Sequence, residues 1–218
     1  MASEAPTLTI GIVVGMQAEA RIARKLGWPV AVGGGRPEGA ARAAEELVTK
    51  GATALLSFGL AGGLDPVLFP GDLLVPYAVM DGGERLACDP GLMQRLGGAT
   101  RHMIFAAQDI VPTALEKRDL CRATGAHAVD LESGAVARVA LAHGLPFAVM
   151  RAVCDPANCS LPPAAIVALN RKGTIGFGRV LLSVLRFPRQ IRDLRELAVD
   201  AHIARDALVD RIKQLTSA

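Results

Sequence analysis

The chain has 218 residues, enough for one large domain, and 51% of them are hydrophobic, so a full core is available. Aromatic residues make up only 4%, which argues against a stacking platform for nucleic acid. The formal charge of +3 is uneven: residues 171–195 carry a net +6 and the remainder −3, so the basic excess reads as a local surface patch.

The opening residues lack the basic and apolar regions of a signal peptide. No uninterrupted apolar run reaches the ~18 residues of a membrane span. The expectation is therefore a cytoplasmic chain. Residues 8–14, rich in β-branched side chains and bounded by Gly15, predict a buried first strand. Residues 18–26 predict a helix and 29–32 a short strand. Gly33, Gly34 and Gly35, followed by Arg36 and Pro37, form a glycine turn at the mouth of a helix that runs to about Lys50. The turn does not match the Gly-x-Gly-x-x-Gly fingerprint, because Glu38 stands where the last glycine belongs. Two readings stay open: an ordinary tight turn, or a small-anion site built from backbone amides and Arg36.

Residues 54–58 predict another buried strand. It leads into Gly59, Leu60, Ala61, Gly62 and Gly63, small residues that let backbone approach a ligand closely. A strand is expected over 71–80, another over 101–107, and a helix over 113–122. Residues 126–131 predict a strand that feeds a helix over 133–143, and 146–153 the last clear strand. Residues 167–185 and 189–215 read as two helices broken at Pro188. Strands alternating with helices imply a three-layer αβα sandwich around a mixed, mostly parallel sheet.

Two apolar runs carry unexpected charge. One delivers Asp130 and Glu132 to the start of a helix; the other delivers Arg151 and Asp155. Acids at the ends of apolar strands are costly unless solvated or used, and in open α/β sheets such ends are where ligands sit. Two acids from neighbouring β/α units should therefore converge on one polar small molecule.

Other chemistry finds little support. There is no Gly-x-x-x-x-Gly-Lys loop and no Gly-x-Ser-x-Gly elbow. Cys88, Cys121, Cys154 and Cys159 contain no Cys-x-x-Cys pair, so reduced thiols are expected, with Cys121 and Cys154 as small core residues. His102, His127, His143 and His202 lack metal-ligand spacing and read as surface or loop residues.

Four blocks, taken in order over roughly residues 8–160, resemble the nucleoside phosphorylase/nucleosidase family. These are Ile10 to Glu19, with Met16 and Glu19 in a Met-x-x-Glu pattern; Ser57 to Leu64, followed by Pro70 to Val75; Val129 to Ala135, similar to a Val-Glu-Met-Glu-Ala ribose loop; and Arg151 to Asp155, similar to an Arg-x-Ile-x-Asp base-binding end. The resemblance implies one domain over 1–218 with a basic helical extension from about 165. It also implies roles. Glu132 would hold both ribose hydroxyls, beside Leu131. Asp155 would protonate or hydrogen-bond N7 of the departing purine, and Glu19 would activate water. Gly33 to Arg36 together with Gly59, Leu60 and Ala61 would form a phosphate or sugar loop, and Gln108 would lie at the base. No metal or organic cofactor is implied, with inorganic phosphate open as a co-substrate.

The chain departs from the family where Leu60 replaces the usual Ser or Thr and where the first ribose-loop acid is Asp130, not Glu. The segment between Val75 and Arg101 is short, which suggests a pocket open on the 5′ side of the sugar. These departures and the basic tail most resemble the hopanoid-associated phosphorylase branch, which implies release of adenine from adenosylhopane. A methylthioadenosine/S-adenosylhomocysteine nucleosidase and a non-catalytic nucleoside-binding or membrane-associated scaffold are the alternatives. The resemblance further implies a homo-oligomer. In the tail, Val180 to Pro188 offers an apolar stripe flanked by Arg179, Arg186, Arg189 and Arg192. It reads either as a core-packing face or as an interfacial anchor.

Overall fold

The computed structural model describes residues 8–163, 165–166 and 190–217. Its core is a nine-stranded mixed sheet in the order β2-β1-β3-β8-β7-β5-β6, with β9 paired to β3 and β4. The strands are β1 (Ile10–Val14), β2 (Val30–Val32), β3 (Ala54–Gly63), β4 (Leu73–Leu74), β5 (Pro76–Asp81), β6 (Glu84–Ala87), β7 (Thr100–Ala106), β8 (Ala128–Asp130) and β9 (Phe147–Asp155). Parallel ladders join β1 to β2 and β3, β3 to β9, and β7 to β5 and β8. Antiparallel pairing is confined to β3/β8, β4/β9 and β5/β6.

The helices are α1 (Gln17–Ala23), α2 (Pro37–Thr49), α3 (Pro90–Arg95), α4 (Ala114–Thr124), α5 (Ser133–Ala142) and α6 (Gln190–Thr216). Helix α2 starts with Pro37 and buries Gly39, Ala40, Ala43, Ala44 and Leu47, a stripe at helical spacing whose small side chains allow close approach to the sheet. It packs on α5 and β1, while α6 packs on β9, β3 and α1. Helices thus cover both sides of the sheet, as the sequence predicts. Helix α6 buries Ala204, Leu208 and Ile212, spaced by four.

Several expectations change. The strand expected over 71–80 is two, because the chain turns at Val75 between β4, which pairs with β9, and β5, which pairs with β6 and β7. The segment from Val75 to Arg101 holds the β6 strand and α3, capped by Asp89 accepting from Leu92 N at 2.8 Å. Period-2 and period-3.6 patterns are too brief in these elements to read from sequence. Cys121 and Cys154 are half-buried at the margins of the core, whereas Cys88 is fully enclosed. His102 lies within β7, edge-on to His127 at 5.2 Å, and His127 Nδ1 accepts from Met103 N at 3.1 Å. The helix over 167–185, the break at Pro188 and the apolar stripe at 180–188 fall outside the described residues. Among the described residues no helix is long and apolar enough to cross a membrane.

Candidate active site

The site grows from the central strand β3. Its first half is flanked by β1 and β9, and its last two residues turn to pair with β8. This junction gathers β1, β3, β8 and β9, and the last three each contribute a polar side chain from an apolar run: Ser57, Asp130 and Arg151.

Arg151 stands in the middle of β9, opposite Gly59, and is completely buried. Its Nε lies 2.7 Å from Asp130 Oδ2 and its Nη2 lies 2.9 Å from Glu132 Oε2. Nη2 also donates to Ser57 Oγ at 2.7 Å and to Ser133 Oγ at 3.3 Å. Asp130 ends β8 and fastens the turn into α5: its Oδ1 accepts from Glu132 N at 3.2 Å and Ser133 N at 3.0 Å, and its Oδ2 accepts from the Ser133 hydroxyl. Glu132 is thereby held at the N-cap position of α5, near the positive end of the helix.

Glu19 arrives from the first turn of α1. Its Oε2 accepts from Met16 N at 2.8 Å and its Oε1 accepts from Leu60 N at 3.0 Å, tying the β1–α1 loop to β3. Two glycines make the convergence sterically feasible. A Cβ on Gly15 would collide with Glu132 Oε1 and sit 3.3 Å from Glu19 Oε2. A Cβ on Gly59 would lie 2.5 Å from Glu19 Oε1 and 2.6 Å from Arg151 Nη1. Glu19, Glu132 and Arg151 therefore share one small volume.

Asp155 lies four residues beyond Arg151, roughly 13 Å along a strand. Between them the β3/β9 register slips: Ala61 faces Val153, Gly62 faces Asp155, and Cys154 is left over. Such a bulge re-aims the next side chain. Asp155 Oδ2 lies 2.7 Å from Lys117 Nζ of α4, and the Lys117 side chain is fully buried. Cys154 lies within electrostatic reach of both Asp155 and Glu19.

Charge is unbalanced at the first end, with three carboxyls (Glu19, Asp130, Glu132) against one guanidinium. Burial raises the Glu132 pKa to about 7; Arg151 pulls it down, while Glu19 and Asp130 push it up. Burial works against the charge on Arg151, but Asp130, Glu132 and Glu19 more than offset it and hold its pKa above the ordinary value. Burial also raises the Asp155 pKa, against the pull of Lys117. Excess negative charge in a desolvated site favours a cation forming beside it.

The other sequence candidates are more dispersed. Leu60 is half-buried against the core and offers its backbone N–H to Glu19. Ala61 is buried, and Leu131 packs beside Val129 and Leu64. Gly33 N donates to Val14 O at 2.8 Å and Gly34 N to Gly15 O at 2.9 Å, so those two amides are engaged within the fold. Gly35 follows with φ of 72°. Arg36 Nη1 lies 2.8 Å from Asp109 Oδ1, next to the exposed Gln108. Among the described residues no group of three His, Cys, Asp or Glu side chains could hold a metal ion.

Sequence reading assigned no role to Ser57, Ser133 or Lys117, and placed Arg151 at the site without its task. A guanidinium inside an apolar strand was a signal for Arg151. Lys117 gave none, because among Glu116, Arg118 and Asp119 it reads as part of a solvated face.

Residues 100–174, which include β7 through β9, match the model of the phosphorylase superfamily. Over that stretch the chain is similar to the superfamily. Its fold is shared with an S-adenosylhomocysteine nucleosidase of Streptococcus pyogenes solved with 5-methylthiotubericidin (16% identity, 97% of this chain and 99% of that one, TM-score 0.67). It is shared also with a 5′-methylthioadenosine/S-adenosylhomocysteine nucleosidase of Neisseria meningitidis (18%, 94% and 98%, 0.67). A third likeness is futalosine hydrolase of Helicobacter pylori strain 26695 (18%, 95% and 98%, 0.66). At these identities the likeness establishes the fold. No curated protein matches the sequence.

Proposed function

We propose that this protein is an enzyme that cleaves the N-glycosidic bond of a 5′-substituted adenosine and releases adenine. The observation that carries the reading is the gathering of Glu19, Glu132 and Arg151 in one buried volume, with Asp155 four residues further along β9. The superfamily match and the nucleosidase fold support it.

The chemistry follows from charge. As the C1′–N9 bond breaks, its electron pair goes to the purine and positive charge builds on the sugar. The ionised Glu132 accepts hydrogen bonds from the 2′- and 3′-hydroxyls, placing negative charge beside the forming cation. Asp155 passes a proton to N7 of the leaving base. Water adds to C1′ and gives its proton to Glu19. Each proton transfer is worth about 10²–10⁴-fold.

Water is favoured over phosphate as the nucleophile by three features. Glu19 is buried against the site. The amides of Gly33 and Gly34 and the guanidinium of Arg36 have partners within the fold. Leu60 brings no hydroxyl. Within this reading the preferred substrate is adenosylhopane, a choice supported by the sequence resemblance and the basic tail. A homo-oligomer and contact of the tail with a membrane surface belong to the same proposal.

The test is adenine release from a panel of 5′-modified adenosines, including methylthioadenosine and adenosylhopane, with and without phosphate. Release in phosphate-free buffer, fastest with the hopane nucleoside, is expected. Release that depends on phosphate overturns the hydrolytic step. Comparable turnover of methylthioadenosine overturns the hopane preference, and no release from any member overturns the enzyme reading.

A further inference from the structure

Lys117 has no place in the chemistry described so far, yet the fold spends a fully buried ammonium on it. An unpaired charge there would be costly, so its partners reveal its purpose. All three acceptors belong to one short segment. Asp155 Oδ2 lies 2.7 Å from Nζ, and the carbonyls of Pro156 and Cys159 each accept from it at 2.9 Å. Three oxygens match the three protons of an ammonium.

The surrounding structure aims this contact. Thr113 and Glu116 form a capping box at the start of α4, with Thr113 Oγ1 accepting from Glu116 N at 3.2 Å and Glu116 Oε2 accepting from Thr113 N at 3.0 Å. That fixes the first turn and with it the rotation that turns Lys117 inward while Leu115 is exposed. The same end of α4 is laced to the segment after Asp155: Ser160 Oγ accepts from Ala114 N at 3.0 Å, and Leu161 N donates to Pro112 O at 2.7 Å.

The geometry points to Lys117 as the positioning residue that aims the Asp155 carboxyl at the leaving base, a role that rests on the nucleosidase reading above. With Oδ2 held by the ammonium, rotation of the carboxyl is blocked and Oδ1 is left for the purine. The ammonium has a second effect. Burial makes Asp155 a weaker acid, as does Asp200 of α6, and Lys117 is the opposing charge. Among the described residues, Glu196 and Arg205 of α6, Glu19 of α1 and the thiols of Cys154 and Cys159 also lie around this end. The counter-charge opposes that rise, so Lys117 bears on where the Asp155 carboxyl titrates as well as on how it is oriented.

The experiment is the pH profile of adenine release by the full chain, with Asp155→Asn identifying the limb that Asp155 sets. Lys117→Gln is expected to move that limb to higher pH. It should also lower kcat by about tenfold or more while KM changes little. Lys117→Arg, which keeps the charge, is expected to leave the limb in place. A limb unmoved in Lys117→Gln overturns the role. If Lys117→Gln fails to fold, the Asp155→Asn/Lys117→Gln pair carries no buried charge and decides instead. Activity equal to that of Asp155→Asn alone supports action through Asp155, and a further loss overturns it. Wild-type protein that releases no adenine overturns the enzyme reading itself, a result distinct from an active enzyme with an unmoved limb.

Discussion

Glu132 shows how one residue couples the site to the stability of the fold. Its pKa is near 4.5 when solvated and about 7 in the folded chain, chiefly because burial penalises the carboxylate. Between those values the folded chain holds a proton that the unfolded chain has released. Stability therefore falls as pH rises through that window, and the loss is complete above about 7. Denaturant midpoints from pH 4 to 8 are expected to show this decline for wild type, with a flatter curve for Glu132→Gln. An equal slope in both proteins would place the titration elsewhere. Under the proposed function, the carboxylate that weakens the fold is the form that a ribose contact would need, a balance common where buried charge serves a ligand.

At the scale of elements, the loop between β1 and α1 works as a spacer. Gly15 leaves room for Glu132 from α5 and Glu19 from α1 to meet, and no side chain fits there without moving one of them. Gly15→Ala is expected to displace the Glu132 carboxylate from Arg151. A displacement of about 1 Å at a reacting centre costs on the order of 10²-fold in rate. The change should thus appear as a loss of that order in kcat/KM with a nearly unchanged melting temperature, since only a side-chain end must shift. A large drop in melting temperature with kcat/KM retained would make Gly15 a folding residue.

For the molecule as a whole, α6 closes the arrangement. Leu208 and Ile212 bury its inner face against the sheet, and Asp200 lies within electrostatic reach of Asp155. Asp155 is therefore paired with Lys117 of α4 and within electrostatic reach of α6, while Arg151 and Glu132 are held at the sheet. Sedimentation velocity is expected to give at least a dimer, and a monomer at micromolar concentration would remove the homo-oligomer from the proposal. Cosedimentation with anionic vesicles, weakened by salt, is the outcome expected of membrane contact through the basic tail. Its absence leaves the apolar stripe as a packing face.

The sequence alone determined the alternation of strands and helices, because burial on one or both faces writes a periodicity into the chain. It also marked Asp130, Glu132, Arg151 and Asp155, because charge inside an apolar run is too costly to be incidental. It could not determine which partners those charges meet. Glu19 reaches Leu60 across 41 positions, and Lys117 reaches Asp155 only because α4 and the end of β9 pack together. A lysine in a charged helical turn looks solvated until the fold removes the water. Local periodicity survives in the chain, but desolvation and distant pairing exist only once the tertiary structure has formed.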